Sequence, residues 1–585
     1  MSDGFWIADN PASEKYPCYT RANAGEVMPD PVSPLSATTG LAGAGEQGWR
    51  DAYVKIGAFD HDEFEGDRRN TIGVFGGYLY LNMSLTRIYG VRMPGLTPEI
   101  VDFQYFGDMP GITPYHAEAR PTDESPRHGE LLQGYLAELF AKDDFPELRA
   151  DRDQTIRLVK ARPNYEDLTD QELIDHARSF IPLYRRLFCR HILISAASGI
   201  GIGTVAQALA AIDRPEAVMT LVSGLGDVDS AAPSFALWEI SREVRASKSL
   251  TALFDDGVAG LPARLEAAAE LGDVDAQEFQ WRLKDFLDNF GSRGPNEWEF
   301  RSHVWGTRRE LPLAAIDRMR FACDVDSPSA RADIRTVERE AMTAEIEALL
   351  DGNDEALGTF RAGLRTAHLT NVGRERTKTN NIRIVHEMRL AFREVGRRMV
   401  ERGIFDTVEQ VFMLADAELD DFVEKPEAFT ATVRERETHY LGLWDLEPPF
   451  VAFGAPAPTS QWRKRAVAGR DAVAVGAVLT GIPGCSGTVV GRARVILDPA
   501  DPRGLEPGEI LIAPYTDPAW TPLFVPAGGV IVDVGAQITH AVIVSRELGL
   551  PCVVSVTDAT RKIPDGAIVE VDGQAGTVTV LELPS

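Results

Sequence analysis

His540 is the side chain in this sequence whose setting most directly suggests chemistry. It follows an apolar, β-branched run, Gly528-Gly-Val-Ile-Val-Asp-Val-Gly535, and stands directly after Thr539. Val530 to Val534 read as a buried strand, with Gly535 at the turn that ends it. Thr539 is a candidate N-cap. Ala541, Val544 and Leu548 then recur at helical spacing, Gly549 supplies a C-terminal stop, and Pro551 blocks continuation. His540 is thus expected in the first turn of a short helix. There, unpaired backbone N–H groups and the positive end of the helix dipole favour an anion, phosphate above all. The same field disfavours imidazolium, so the ring is expected to be neutral and nucleophilic, fit to carry a phosphoryl group.

Two further clusters are cationic. Val385, Met388, Phe392, Val395 and Met399 are spaced by three and four, forming one inward stripe on a helix of about residues 374–401. Carried toward the N-terminus, that stripe lands on Lys378 and then Arg374. A cation on a core face is costly unless it is paired or faces a polar cavity. Either acidic residues meet Arg374 and Lys378, or the bundle opens there onto an anion site. Arg383, Arg389, Arg393 and Arg397 fall on what reads as a solvated face. The third cluster is Arg293 and Glu297 in Phe286-Leu-Asp-Asn-Phe290-Gly-Ser-Arg293-Gly-Pro-Asn-Glu297. A helix is expected to end at Gly291, and a glycine–proline turn then presents the pair, either to a substrate or to each other as a clamp on the turn.

The elements that must position these residues follow from pattern and composition. The first forty residues are rich in Pro, Gly, Ser and Thr and read as irregular. Thr71-Ile-Gly-Val-Phe-Gly-Gly-Tyr-Leu-Tyr-Leu and Ile100-Val-Asp-Phe-Gln-Tyr-Phe read as strands of a small lobe extending to about residue 120. From about 130 to 447 the apolar spacing is helical. Ser195-Ala-Ala-Ser-Gly-Ile-Gly201-Ile-Gly-Thr superficially resembles a phosphate loop, but it lacks the Lys-Ser/Thr ending and follows a helical pattern. Close helix packing or a cavity wall is the better reading. An Ala/Pro/Gly/Ser-rich stretch, Ala452-Phe-Gly-Ala-Pro-Ala-Pro-Thr-Ser460, reads as a semi-rigid linker. The expectation is a multidomain α+β protein. A mainly helical substrate domain (1–450) with a small β-containing N-terminal lobe precedes a linker (451–472) and a C-terminal α/β domain (473–585).

Composition excludes several classes. A length of 585 residues exceeds one core. A net charge of −28 argues against nucleic acid or an anionic membrane as the main partner. No unbroken apolar run of membrane-spanning length and no signal peptide is evident. Cys18, Cys189, Cys323, Cys485 and Cys552 are scattered, which fits reduced thiols in a cytoplasmic protein and no zinc site; no tightly bound cofactor is expected in this chain.

Thr539-His540-x5-Arg546-Glu547-x-Gly549-x-Pro551 resembles the phosphohistidine signature of the swivelling domain of PEP-utilising enzymes. That domain is shared by phosphoenolpyruvate synthase, pyruvate phosphate dikinase, rifampin phosphotransferase and phenylphosphate synthase. The resemblance extends through Gly487-Thr-Val-Val-Gly491, Thr516-Asp-Pro-Ala-Trp520-Thr-Pro-Leu-Phe524 and Val571-Asp-Gly573-Gln-Ala-Gly576. It implies supporting roles for Gly535, Thr539 and Arg546 around a phosphorylated His540. Arg374-Glu-Arg-Thr-Lys378 resembles the Arg-Glu-x-x-Lys motif at the phosphotransfer site of rifampin phosphotransferase, implying catalytic roles for Arg374 and Lys378. The segment at Arg293 resembles an HG-x-RG-x-x-E motif whose leading histidine is here Phe290. Tyr19-Thr-Arg21-Ala-Asn23-Ala-Gly-Glu26 resembles the opening of the substrate domain, implying substrate contacts for Asn23 and Glu26 alongside Arg293 and Glu297.

These resemblances imply ping-pong phosphoryl transfer, with ATP and Mg2+ held on a separate ATP-grasp-like subunit, because no stretch of the sequence reads as an ATP-binding domain. His540 would pass the group to a small aromatic hydroxyl, a phenol or alkylphenol, in a reaction of the dikinase type. A rifamycin-like or other natural-product hydroxyl, and a non-catalytic phosphocarrier, remain alternatives. Glu297, His303 and His386 are candidate bases.

Overall fold

The computed structural model of the chain describes residues 6–66, 68–106, 111–324, 327–465, 472–497, 504–516, 520–535 and 539–584. Asp517 to Ala519 of the Thr516–Phe524 motif, Ala536 to Ile538 before Thr539, and part of the expected linker lie outside the described residues. Backbone proximity groups the chain into two compact units. Unit 1 comprises Met1–Ser198, Trp298–Ser302 and Arg376–Ala466, and unit 2 comprises Gly199–Glu297, His303–Glu375 and Val467–Ser585. The expected domains follow chain order, whereas these units are discontinuous. Helices Ile181–Ala210 and Asp354–Glu401 each give residues to both.

Unit 1 contains strands β1 (Cys18–Thr20), β2 (Ile72–Phe75), β3 (Tyr78–Asn82), β4 (Leu446–Glu447), β5 (Val451–Phe453) and β6 (Arg463–Lys464). Four of them form an antiparallel sheet in the order β2-β3-β1-β5. The β2–β3 hairpin turns on Gly76 and Gly77, both at positive φ (55° and 79°), and the Asp9 carboxylate accepts hydrogen bonds from both their amides. Ile100 to Phe106, expected as a strand, instead lies in helix Pro98–Phe106. Pro98 is compatible with a first helical turn, and the chain buries Val101 and Phe106 while leaving Ile100 and Phe103 exposed, which is a helical rather than an alternating pattern. The stripe Val385, Met388, Phe392, Val395 and Met399 is fully buried in the unit's core, as its spacing required.

Two other expectations change in unit 1. Arg389 is fully buried, not solvated: its guanidinium donates to the carbonyls of Glu299 (2.9 Å) and Phe300 (3.2 Å). Arg383 and Arg393 are half-buried, Arg393 is held by Glu409, and Arg397 alone of the four is exposed. The helix wraps more of its circumference in core than a single stripe suggests. The described part of the linker, 451–465, is also built in. β5 pairs with β1, and β6 pairs with β4, so the Pro- and Ala-rich composition makes an ordered strap there.

The helical part of unit 2 packs tightly. A Cβ on Gly201 would stand 2.6 Å from the Ala367 amide nitrogen, and one on Gly363 would stand 2.9 Å from the Thr204 side chain. The glycines of 199–203 therefore serve close helix contact at Gly201, while Gly199 and Gly203 face open space. A window within 170–210 reaches a mean hydropathy of 1.7 over eighteen residues, enough by length and composition to cross a membrane. A third of that window is buried inside the protein.

The C-terminal part of unit 2 carries β7 (Val478–Thr480), β8 (Ile482–Cys485), β9 (Thr488–Val495), β10 (Ile510–Ala513), β11 (Gly529–Val532), β12 (Cys552–Val554), β13 (Ile568–Asp572) and β14 (Thr577–Glu582). They form one sheet, β7-β14-β13-β9-β10-β11-β12-β8, whose centre, β9 to β12, is parallel. β10, β11 and β12 are buried along their length, as continuous apolar strands of a parallel sheet are. Helix His540–Leu548, Trp520, Leu523 and Phe524 cover one face, and Val556, Ala559 and Ile563 cover the other.

Candidate functional site

In an open parallel sheet, the segments beyond the carboxyl ends of adjacent strands make the natural crevice for a ligand or a reacting group. His540 occupies that position. β10 runs out toward Thr516 and β11 toward Gly535, and His540 is the first residue of the helix that follows β11. Thr539 has the extended backbone of an N-cap, although its side chain makes no capping hydrogen bond. Gly549 closes the helix in the left-handed conformation (φ 67°), as its position required. Gly535 is needed for its size, since a Cβ would lie 3.0 Å from that of Val554.

The His540 ring is buried and held at both nitrogens. Thr516 Oγ1 lies 3.0 Å from Nδ1, and Thr521 Oγ1 lies 3.1 Å from Nε2. Phe524 meets the ring edge-on at 5.8 Å between centroids. A hydroxyl can donate or accept, so this clasp suits either neutral tautomer and can follow the ring when a proton changes sides. The clasp fixes ring orientation while leaving the choice of reacting nitrogen open. Thr516 and Thr521 received no individual role from the sequence. The available signal was a pair of threonines bracketing Trp520 just past a buried strand.

The remaining residues of the signature anchor the helix. Arg546 is buried and donates to the Gly484 carbonyl in β8 (3.1 Å). Burial is the main reason that its guanidinium is pushed down to about 10, and the nearby positive charge of Arg374 adds to the effect. Glu547 is buried too; its carboxylate accepts from the amides of Leu225 (3.2 Å) and Gly226 (3.4 Å), and burial raises its pKa. Arg335 Nη2 donates to the Gly549 carbonyl at 2.9 Å. Within unit 2, the helix bearing His540 is therefore latched at its far end to helical segments of the same unit. Asp533, between β11 and Gly535, is a half-buried residue whose carboxyl accepts from the amide and hydroxyl of Thr560, and desolvation of that carboxyl pushes it up to about 6.

The cationic candidates lie on two segments, the helix Asp354–Glu401 and the turn after helix Val274–Phe290. Arg374 lies in unit 2, is half-buried, and pairs with Glu375 at 3.0 Å. Lys378, also half-buried, belongs to unit 1. Both stand on the one continuous helix Asp354–Glu401, four residues apart as their spacing required, and the division between the two units falls between 375 and 376. Helix Val274–Phe290 ends at Gly291 as expected. Beyond it Arg293 and Glu297, 1% and 2% exposed, form a buried ion pair with each other at 2.8 Å, so the clamp reading is the one the geometry displays. Asn23, in unit 1, has a positive φ (62°) and stands at the N-cap position of helix Ala24–Val27 without a side-chain capping bond, and Glu26 in that helix is buried. The same segment is threaded into the core by Arg21, whose guanidinium donates to the carbonyls of Leu79 (2.7 Å) and Pro29 (3.0 Å) and lies over Tyr78. Among the candidate bases, His386 is buried with Nδ1 3.2 Å from Arg389, and its pKa lies well below the usual imidazole value, through burial first and Arg389 second. Glu297 is committed to Arg293, and His303 is half-buried in unit 2. Asp60, Glu63 and His128 in unit 1 converge closely enough to suggest a metal, but Arg127 and Arg92 already neutralise the two carboxylates.

Comparison with known proteins agrees with this arrangement. Residues 505–576 match the mobile domain of PEP-utilising enzymes, and residues 191–375 match the fourth domain of rifampicin (rifampin) phosphotransferase. The chain thus carries a segment, 505–576, that matches the mobile domain of PEP-utilising enzymes. The chain is similar to the rifampicin phosphotransferase of Streptomyces sviceus, at 33% identity over 54% of this chain and 36% of the relative. It is 31% identical to the prodigiosin synthesizing transferase PigC of Serratia marcescens over 50% of this chain and 33% of the relative. An uncharacterized protein of Mycobacterium tuberculosis is similar along 99% of this chain, at 28% identity, and this chain covers 63% of its length. The chain thus spans between about a third and two thirds of the relatives it matches.

Proposed function

We propose that the protein is a phosphotransferase in which His540 carries a phosphoryl group from ATP to an acceptor hydroxyl. The observation that supports this most is the clasped, buried His540 at the carboxyl ends of parallel strands, inside the match to the mobile domain of PEP-utilising enzymes. Covalent carriage splits one difficult displacement into two easier ones. In the dikinase-type reaction, ATP and water yield AMP and phosphate, and the third phosphoryl group passes through His540 to the acceptor oxygen. One threonine hydroxyl must release the ring nitrogen that bonds to phosphorus; the other keeps the ring oriented and takes up the tautomer change. ATP and its Mg2+ are assigned to a separate ATP-binding subunit, and the carrier domain (473–585) moves between that subunit and the acceptor domain. Arg374 and Lys378 neutralise charge on the group in transfer.

The acceptor in this reading is a small aromatic hydroxyl compound, a phenol or alkylphenol. A larger hydroxylated natural product is the second reading, and the match of residues 191–375 to a rifampicin phosphotransferase domain favours it. A carrier without its own acceptor is favoured by one observation, the engagement of Arg293 and Arg374 in local pairs with Glu297 and Glu375. One experiment separates the three. The chain, a candidate ATP-binding subunit and labelled ATP are mixed with phenols, with rifamycin, or with neither. Chase of label from protein into an aryl phosphate supports the first reading, and chase into the antibiotic supports the second. Label that stays on the protein under both conditions refutes both acceptors.

A further inference from the structure

Unit 1 contains an open cavity of about 280 Å3 that nothing above uses, lined by Asp51, Lys55, Pro182, Arg185, Arg186, Cys189, Arg190 and Leu193. Its walls are two helices. Glu46–Lys55 contributes Asp51 and Lys55, one turn apart, and Ile181–Ala210 contributes the others from one face. The helices touch at Gly48, where a Cβ would stand 2.7 Å from the Arg185 carbonyl oxygen, so the groove has a fixed, narrow floor.

The lining is unusual for this chain. Overall the protein carries a net charge of −28, yet four cations gather here. They face two carboxylates: Asp51 binds Arg185 through both oxygens, and Asp151 binds Arg186 (2.6 Å) and Arg190 (2.8 Å). That leaves an excess of two positive charges. The carboxylates also splint the guanidiniums, so that their fork geometry is set before any ligand arrives. Lys55 is exposed and has no hydrogen-bond or ion-pair partner among the described residues. Lys55, Asp51, Arg185, Arg190 and Cys189 all line the same cavity. In it, Pro182 and Leu193 supply apolar surface.

We infer that this groove binds a small phosphorylated molecule, its dianionic phosphate held by Lys55, Arg185, Arg186 and Arg190 and its organic body lying on Pro182 and Leu193. A phosphate dianion matches the excess of two charges, and the cavity has room for a small ester rather than for a nucleotide triphosphate with its metal. The residues of this site all belong to unit 1, and the inference does not depend on which acceptor His540 serves.

Cys189 provides the readout. In a Cys323→Ser background, which removes the exposed thiol, the rate of Cys189 alkylation is followed while phenyl phosphate or inorganic phosphate is added. Phenyl phosphate should slow alkylation saturably, and at a concentration roughly tenfold below that needed for inorganic phosphate, because the apolar wall contributes. Lys55→Ala and Arg185→Gln, both at exposed positions, should each raise the concentration required by about tenfold or more. Their circular dichroism and their labelling at His540 should be unchanged. Protection absent at millimolar ligand, or undiminished in both variants, overturns the site. Equal protection by the two phosphates overturns its assignment to an ester.

Discussion

Arg293→Ala is the sharpest test of whether the turn after helix Val274–Phe290 is structure or chemistry in this protein. The Arg293 and Glu297 side chains are 1% and 2% exposed and 2.8 Å apart, so truncating Arg293 takes a charged partner away from a carboxylate held in the interior. Breaking a buried pair from one side costs about 3–5 kcal/mol, whereas removing both partners costs much less because no charge is left unpaired. Against a total stability of about 5–15 kcal/mol for a domain, the single substitution is severe. At a slope of about 2–3 kcal/mol per M, it should lower the urea midpoint of unit 2 by roughly 1–2 M. Glu297→Ala should do the same, and Arg293→Ala/Glu297→Ala should recover most of the loss, giving a coupling of about 2 kcal/mol or more in a double-mutant cycle. Urea unfolding followed by tryptophan fluorescence measures this, with Trp305 beside the turn as a local reporter. The reasoning fails if Arg293→Ala costs less than about 1 kcal/mol while phosphoryl transfer to an acceptor is lost. Arg293 would then serve the substrate, and the pair seen here would be a resting arrangement.

Four other outcomes follow from the geometry. Thr516→Val and Thr521→Val should each slow phosphorylation of His540 by about tenfold to a thousandfold, because a loose ring loses orientation and one hydrogen bond; labelling rates in both variants at wild-type level would remove the clasp from the mechanism. Asp533 has a folded pKa raised from 3.8 to about 6, so its stabilising contribution is full below about pH 4 and is lost as pH rises through 6. Asp533→Asn should therefore flatten the pH dependence of unit 2 stability by about 3 kcal/mol between those limits, and identical profiles in wild type and variant would contradict the burial argument. Glu547→Ala should speed hydrogen exchange at the Leu225 and Gly226 amides, which lose their acceptor, with no change in the central strand β11. Gly201→Val should destabilise unit 2 by more than about 2 kcal/mol, since its first carbon already meets the Ala367 backbone at 2.6 Å, while Gly203→Ala, with open space around it, should be nearly neutral.

The sequence was informative where a residue's role is set by its near neighbours. Val530 to Val534, Gly535, His540 and Gly549 lie in one strand–turn–helix unit, and local pattern rules located them within a residue or two. The buried stripe from Val385 to Met399 was equally legible, because its period is the helix's own. Residues whose role depends on distant chain were not. Thr521 becomes a partner of His540 only when β10 and β11 lie side by side, and Glu547 becomes a latch only against the loop at Leu225. Arg389 read as solvated because helical spacing reports one face, while the carbonyls of Glu299 and Phe300 that bury it come from a segment far away in sequence. The Pro- and Ala-rich strap at 452–460 misled for a related reason: composition reports intrinsic stiffness, and pairing of β5 with β1 is a tertiary event. Arg374 and Lys378 stand on one continuous helix as their spacing required, and the division between the two units that falls between them is a boundary that no local rule marks.

The most direct measurement is of the chain itself after incubation with an ATP-binding subunit and labelled ATP. The account requires label on the protein that is stable to base, lost in acid, mapped to the peptide containing His540, and absent from His540→Ala although that variant remains folded. Label that survives acid, or that persists in His540→Ala, would contradict it.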